Sequence, residues 1–327
     1  MSRTKRFVIA VAVTFLTSLS SVLGGEITFS FNYDSSFDTA AGANASIAKS
    51  DFAFVGNYLS SMIKTSVPSD VTMIFDISGE SDSESSTLGS AGSDFFGFSN
   101  SFNKTATQII AQTGSYSGSS SAVVGNAIFN FGKSWGFGGD VAGSEFDFRY
   151  VLLHEMTHAL GFIGSIGASG GTVFSNGFHG WMDQYLYGWD GSAYQKLVQT
   201  GTSLVAMSGA SAAVKNSTHP VQYRGPNVLA YLGNSTGQNM YTPSVFDDGS
   251  SIYHVNIVGD LMYYSTGPGL KTFGYSGLHQ AFLRDLGYSV VPEPGAYALA
   301  LVSVIVLGAC GKVRGRSQVR LRTERIG

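Results

Sequence analysis

His154-Glu155-Met156-Thr157-His158 sets two imidazoles four residues apart, with a carboxylate beside the first. On a helix of about 3.6 residues per turn, positions i and i+4 share a face, so both rings can reach one ion. Glu155 sits one step round the helix, where its carboxylate can meet a water at that ion rather than the ion itself. Imidazole nitrogens suit zinc and its first-row neighbours, and this spacing on a helix is a signature of metal-assisted hydrolysis. A lone histidine in an apolar helix is ordinarily a packed residue. Two of them with Glu155 at this spacing, followed by Gly161-Phe162, point to a metal.

The elements that must position these groups follow from the pattern around them. The motif helix is expected over residues 148–160, with Glu145 and Asp147 near its positive end and Gly161 as its stop. Residues 27–33 and 71–77 alternate apolar and polar side chains, as half-buried strands do. Residues 45–63 read as a helix that buries Ile47, Phe52, Val55, Tyr58 and Leu59. Residues 101–112 fit a short helix or a strand. Residues 122–124 and 126–131 read as a strand kinked at Gly125; it is expected on the sheet edge beside the motif helix, as the rim where a peptide could add. Residues 164–253 are rich in Gly, Ser and Asn, too long for a structureless loop, so a subdomain of short elements is expected there. Residues 277–288 read as a closing helix with a glycine cap.

Catalytic zinc takes three protein ligands and leaves one position open. In the compact arrangement the third histidine comes six residues after the second, and here that position is Gly164. Asp183 is a candidate carboxylate ligand, and His179, His219 and His279 are candidate imidazoles. The stronger candidate is His254, in Gly249-Ser250-Ser251-Ile252-Tyr253-His254-Val255-Asn256, followed by Gly259-Asp260-Leu261-Met262. With His-Glu-Met-Thr-His-Ala-Leu-Gly-Phe, this string resembles the leishmanolysin-like metzincins, in which an insertion separates the motif glycine from the third histidine. The resemblance runs in patches over residues 148–265, and Asp285-Leu286-Gly287-Tyr288 is similar to secreted metzincin-like bacterial proteins. It differs in Val255, where that family often has tryptophan, and in its lack of a cysteine-rich body.

The resemblance implies an α+β, metzincin-like zincin. A twisted mixed sheet and the active-site helix would form an N-terminal lobe at 25–163, and a mostly irregular C-terminal lobe with a closing helix would span 164–290. It implies Zn2+ on His154, His158 and His254, Glu155 as general base, and Met262 in a turn beneath the metal. Tyr264, two residues further on, falls where some metzincins keep a tyrosine for the metal or the developing oxyanion. The activity implied is a zinc-dependent endopeptidase acting on a protein or peptide. The rival reading is a non-catalytic surface or matrix protein that keeps a structural zinc.

The two ends read as targeting segments. Basic residues 2–6, an apolar stretch and the small residues Gly24 and Gly25 are expected to be a signal peptide at 1–24. Val291-Pro292-Glu293-Pro294-Gly295, an apolar run from Ala296 and a basic tail resemble the PEP-CTERM sorting signal of Gram-negative bacteria. That resemblance implies a sorting segment at 291–327, with a membrane segment at 296–311 and an exosortase-type enzyme as partner. The chain is thus expected at the cell surface or outside, touching membrane only through this tail. The single cysteine, Cys310, lies in the tail, so the body has no disulfide. Net charge is −3 and no basic stripe crosses the body, which gives nucleic-acid binding no support. Asp76, Glu80, Asp82 and Glu84 could hold calcium, though a solvated loop face explains them better.

Overall fold

The structure, a computed structural model, describes residues 24–97, 99–200 and 203–291. Strand β1 (Ile27–Tyr33) leads through two helices, α1 (Ser35–Ala41) and α2 (Ala45–Met62), to β2 (Val71–Glu80). β2 shows the expected period of two: Val71, Met73, Phe75 and Ile77 are buried while their neighbours are more exposed. The next elements are a short strand β3 (Gly89–Gly92), α3 (Ala106–Thr113) and β4 (Ser121–Asn130). These strands form a four-stranded mixed sheet in the order β1-β2-β4-β3, with β3 antiparallel to β4 and the other pairs parallel.

Two sequence expectations are resolved here in opposite ways. The kink in β4 is present: its register against β2 skips at Val124, and a Cβ on Gly125 would lie 2.4 Å from the Gly92 carbonyl oxygen. The edge assignment is corrected, because β4 lies inside the sheet and β3 covers it. Gly89-Ser90-Ala91-Gly92 carries no apolar alternation, so nothing in its side chains announces a strand. Residues 101–112 turn out to be both options in turn, a strand at Phe102–Thr105 capped straight into α3 by the Thr105 and Gln108 side chains.

The motif helix α4 (Phe148–Ala159) follows, and the long region after it is built from short pieces. Its largest is a sheet of β5 (Leu186–Trp189), β6 (Tyr194–Lys196), β7 (Gln222–Tyr223) and β8 (Gln238–Asn239), in the order β6-β5-β7-β8. Helix α5 (Pro226–Leu232) comes between β7 and β8, and α6 (Gly277–Asp285) closes the fold. The protein is therefore mixed α+β, with several small sheets and few helices. Asp285 on α6 accepts hydrogen bonds from the Asn227 and Val228 N–H groups in the first turn of α5 (2.8 and 3.2 Å). The Leu286 carbonyl accepts from Gln108 and Gln112 on α3, which ties the closing helix to the first half of the chain.

The expected signal peptide and sorting segment lie, but for Gly24 and Val291, outside the described residues. Among the described residues no helix is long and apolar enough to cross a membrane.

Candidate metal centre

α4 is held at both ends and along its length. Asp147 caps it by accepting from the Tyr150 N–H (3.2 Å). Phe148, fully buried, sits among Phe52, Phe129, Phe131, Trp135 and Phe137 with ring centroids 5.0–6.0 Å away. The Arg149 guanidinium meets the buried Asp51 carboxylate of α2 at 2.5 Å. Beyond the last turn, Tyr288 donates to the Leu160 carbonyl (3.0 Å) and Gly161 takes φ +99°, a left-handed conformation that ends the helix.

The Nε2 ends of the two motif imidazoles meet a third. Nε2 of His154 and Nε2 of His158 are 3.1 Å apart, and Nε2 of His254 lies 3.1 Å from the second and 3.2 Å from the first. Each ring turns its other nitrogen to a backbone carbonyl: His154 Nδ1 to Leu261 (2.6 Å), His158 Nδ1 to Phe162 (2.8 Å) and His254 Nδ1 to Ser250 (2.8 Å). A carbonyl can only accept, so each Nδ1 carries the proton and each Nε2 is bare. Three bare nitrogens cannot hydrogen-bond to one another, and their lone pairs converge on one point. That arrangement asks for a cation. The three lie close enough to bind a metal ion.

The surroundings keep these rings neutral. Burial pushes His154 down to about 3, with the neighbouring His254 adding to the shift. Burial, with His254 and His154 beside it, holds His158 well below the ordinary histidine value. Burial lowers His254 to about 4. Glu155 is pushed the other way: burial raises its carboxyl to about 8, against a smaller lowering by the Ala91 backbone N–H. Ala91 belongs to β3, so the sheet edge reaches the carboxylate next to the first histidine.

A cleft of about 690 Å³ opens over this cluster. It is lined by His154, Glu155, His158 and His254, by β3, and by Phe246, Tyr263 and Tyr264. Tyr264 stacks on Tyr241 (centroids 3.8 Å, 13° between planes), and its ring meets that of Tyr263 at 4.6 Å. Met262 is fully buried in the turn after Leu261, and its carbonyl accepts from the N–H of Val255, the residue after His254 (2.7 Å).

How His254 is brought back, 96 residues from His158, depends on groups that sequence reasoning did not assign. Tyr253 donates its hydroxyl to Asp183 Oδ1 (2.7 Å) and accepts from the Ile166 N–H (2.7 Å), which staples the histidine loop to the segment leaving α4. Ile252 is buried at φ +61°, a strained conformation for a β-branched residue, two positions before the ligand. On the other flank, Asp260 Oδ1 accepts from the Met262 N–H (2.9 Å) and pairs with His279 Nε2 (2.8 Å), while its carbonyl accepts from Tyr150 on α4 (2.8 Å). Asp260 thus fixes the turn whose next residue, Leu261, orients His154.

The other candidate ligands are placed elsewhere. Asp183 spends its oxygens on Ser165, Gly180 and Tyr253. His179 lies by Asp183 and Ser165 at 3.6 and 3.4 Å, His219 stacks on Trp189 (4.5 Å), and His279 serves Asp260. Gly164, where the compact arrangement has its third histidine, has no room for any side chain: a Cβ there would stand 2.0 Å from Asp183 Oδ1 and 2.3 Å from the Tyr253 ring. Of the four acidic residues, Asp76 and Glu80 lie on strand β2 rather than in a loop, and Asp82 accepts from the Glu84 and Ser85 N–H groups and closes a turn. No protein-family model, curated protein or solved structure matches this chain.

Proposed function

We propose that this chain is a zinc-dependent endopeptidase of metzincin-like design. The observation that carries the reading is the set of three bare Nε2 atoms, 3.1–3.2 Å apart, beside a buried glutamate in an open cleft. A tetrahedral ion with Zn–N bonds of about 2.0–2.1 Å spaces its nitrogens by about 3.3–3.4 Å, so the cluster fits with a shift of a few tenths of an ångström. Three neutral imidazoles suit zinc, and the carbonyl behind each fixes its tautomer and orientation. Structural zinc sites close with four protein ligands. The metal-capable group among the described residues has three, which favours the enzyme over a structural zinc.

Bound zinc would supply Lewis acidity, polarising a carbonyl oxygen and bringing the pKa of water towards about 7. The chain's own residues supply the rest. Glu155, with its carboxyl near 8 in a metal-free site, would be lowered from there by a nearby dication and so be poised to accept a proton near neutrality. The same carboxyl can then hand that proton to the leaving amine. β3 is the sheet's edge, so an extended peptide can lie along its outer backbone next to Glu155. Tyr264 lines the cleft and is available as a phenol donor to developing negative charge. Export through the signal peptide, with an exosortase-type enzyme acting on the C-terminal tail, belongs to the same reading.

The test is cleavage of an unbiased peptide pool by the wild type and Glu155→Gln side by side, with metal content measured on both. The variant is expected to keep its metal and lose about 10²–10⁴-fold in rate. Equal cleavage by both would remove Glu155 from the chemistry.

A further inference from the structure

We propose that the outer face of the β6-β5-β7-β8 sheet binds an acidic segment of the polypeptide substrate, away from the bond to be cut, with Arg224 as its anchor; this rests on the endopeptidase reading. Strand register defines the face. Tyr187 pairs with Lys196 and Gln222, Trp189 with Tyr194, and Gln222 with Asn239, so these side chains share one side of the sheet. The opposite side belongs to the core, where Leu186, Gly188 and Tyr223 are buried.

Arg224 lies across the outer face in a fixed pose. Its guanidinium carbon is 4.8 Å from the centre of the Tyr187 ring and 5.1 Å from that of Tyr194. Nε donates to Gln222 Oε1 and to the Thr236 carbonyl (both 3.1 Å), and Nη2 donates to Gln222 Oε1 (2.6 Å). Those bonds use one edge of the guanidinium. The end-on fork, made by the N–H groups of Nη1 and Nη2, has no partner among the described residues. Every acceptor Arg224 does have is neutral, and among the described residues neither Arg224 nor Lys196 belongs to an ion pair. A planar, charged fork held still without a carboxylate is shaped to take one bidentately. Little side-chain entropy is lost on capture, because the rings and Gln222 have already ordered it.

Charge complementarity and the amides beside Arg224 select the occupant. Residues 185–241 carry Lys196, Lys215 and Arg224 against Asp190, a balance of +2 in a chain of net −3. Asp190 is spent on its own turn, where it accepts from the Ser192 and Ala193 N–H groups (both 2.8 Å). The face also continues towards the metal cluster. The Asn256 N–H donates to the Asn239 carbonyl (3.0 Å) and the Tyr241 N–H to the His254 carbonyl (2.7 Å), so the His254 segment extends the sheet beyond β8. Asn239 and Asn256 are exposed along that line. Each side-chain amide offers a donor and an acceptor, which is what a peptide backbone presents in return. A polypeptide that reaches the histidines can therefore keep an acidic residue on Arg224.

The test uses hexaglutamyl and hexaglutaminyl peptides and a galacturonate hexamer, which carries carboxylates without a peptide backbone. A bound zinc is itself a dication and would draw a carboxylate to the cleft, so calorimetry is run on the zinc-loaded and on the chelated full chain. The hexaglutamyl peptide is expected to bind at least about tenfold tighter than the hexaglutaminyl one in both forms, with the galacturonate hexamer weaker. Arg224→Gln should erase that advantage with zinc content unchanged, and Arg224→Lys, which keeps the charge but not the fork, should restore little of it. Lys196→Glu, on an exposed residue that the fold does not depend on, should weaken hexaglutamyl binding by about threefold. Substrates with a hexaglutamyl tail should show a KM at least about tenfold lower than those with a hexaglutaminyl tail, at the same kcat. Equal binding of the two peptides, tightest binding of the galacturonate hexamer, or binding that requires zinc and survives Arg224→Gln would each overturn the proposal. Arg224-dependent binding without any cleavage would support the acidic-peptide site and remove the endopeptidase. Glu155-dependent cleavage without preference for the acidic tail would do the reverse.

Discussion

Replacing Gly164 by alanine puts a methyl group into space already taken. The new Cβ would lie 2.0 Å from Asp183 Oδ1, and 2.3 and 2.5 Å from Cε1 and Cζ of Tyr253, where ordinary contacts begin near about 3.5 Å. Neither neighbour can step aside freely. Asp183 is buried and accepts from the Ser165 N–H (3.0 Å), Ser165 Oγ (2.8 Å), the Gly180 N–H (2.8 Å) and Tyr253 (2.7 Å). Making room costs about 1–3 kcal/mol for overpacking. Losing one hydrogen bond to a buried carboxylate adds about 1.5–3 kcal/mol. The expected destabilisation is thus about 2.5–6 kcal/mol, or roughly 5–24 °C in Tm for a domain of this size. Denaturant and thermal unfolding would measure it, with Gly143→Ala as the control, since nothing lies within 4 Å of a Cβ there. Zinc affinity should fall as well, because the displaced Tyr253 is the residue before His254. A loss below about 1 kcal/mol with zinc affinity intact would refute the packing argument. Gly164→His, which restores the compact histidine spacing, should be worse still and yield no working ligand.

Other perturbations separate the metal cluster from its surroundings. His254→Ala should lose stoichiometric zinc in an elemental assay, whereas His179→Ala, which removes a partner of Asp183, should retain it; the opposite ranking would reassign the third ligand. Asp260→Ala should weaken zinc binding by roughly 10–100-fold without changing the circular dichroism, because it frees the turn that orients His154; a change under about threefold would show that the turn holds itself. Chelated protein should show a stability maximum near about pH 7 in urea titrations. The sign follows from the shifts. His154, His158 and His254 fold with values below their ordinary 6.5, so the unfolded chain binds protons first and stability is lost as pH falls from 6.5 towards 4 and 3. Glu155 folds with its value raised from 4.5 to about 8, so its contribution is lost as pH rises through that window. Stability that climbs steadily into acid would contradict this accounting of the site.

The parts of the site that were legible in the sequence are those with local causes. The motif helix, its Asp147 start and its Gly161 stop follow from periodicity and capping within a dozen residues. His254 was found only through a resemblance, because a contact across 96 residues leaves no periodic trace. The three carbonyls that orient the rings, on Leu261, Phe162 and Ser250, are backbone atoms and have no signature in residue type. The rim strand was misplaced onto β4, since the Gly-Ser-Ala-Gly of β3 lacks alternation and owes its conformation to pairing with β4. Gly164 carried a signal that could be read in part. Its identity ruled out the compact ligand, and its neighbours Asp183 and Tyr253 supply the steric reason.

One ion at three imidazoles is what everything proposed for this site depends on. Zinc stoichiometry of the purified chain, combined with zinc-edge X-ray absorption, measures that directly. The prediction is one zinc per chain with three imidazole nitrogens at about 2.0–2.1 Å and a light-atom fourth ligand. A chain that binds no zinc at micromolar concentration, or one whose zinc has fewer than three imidazoles, would contradict it.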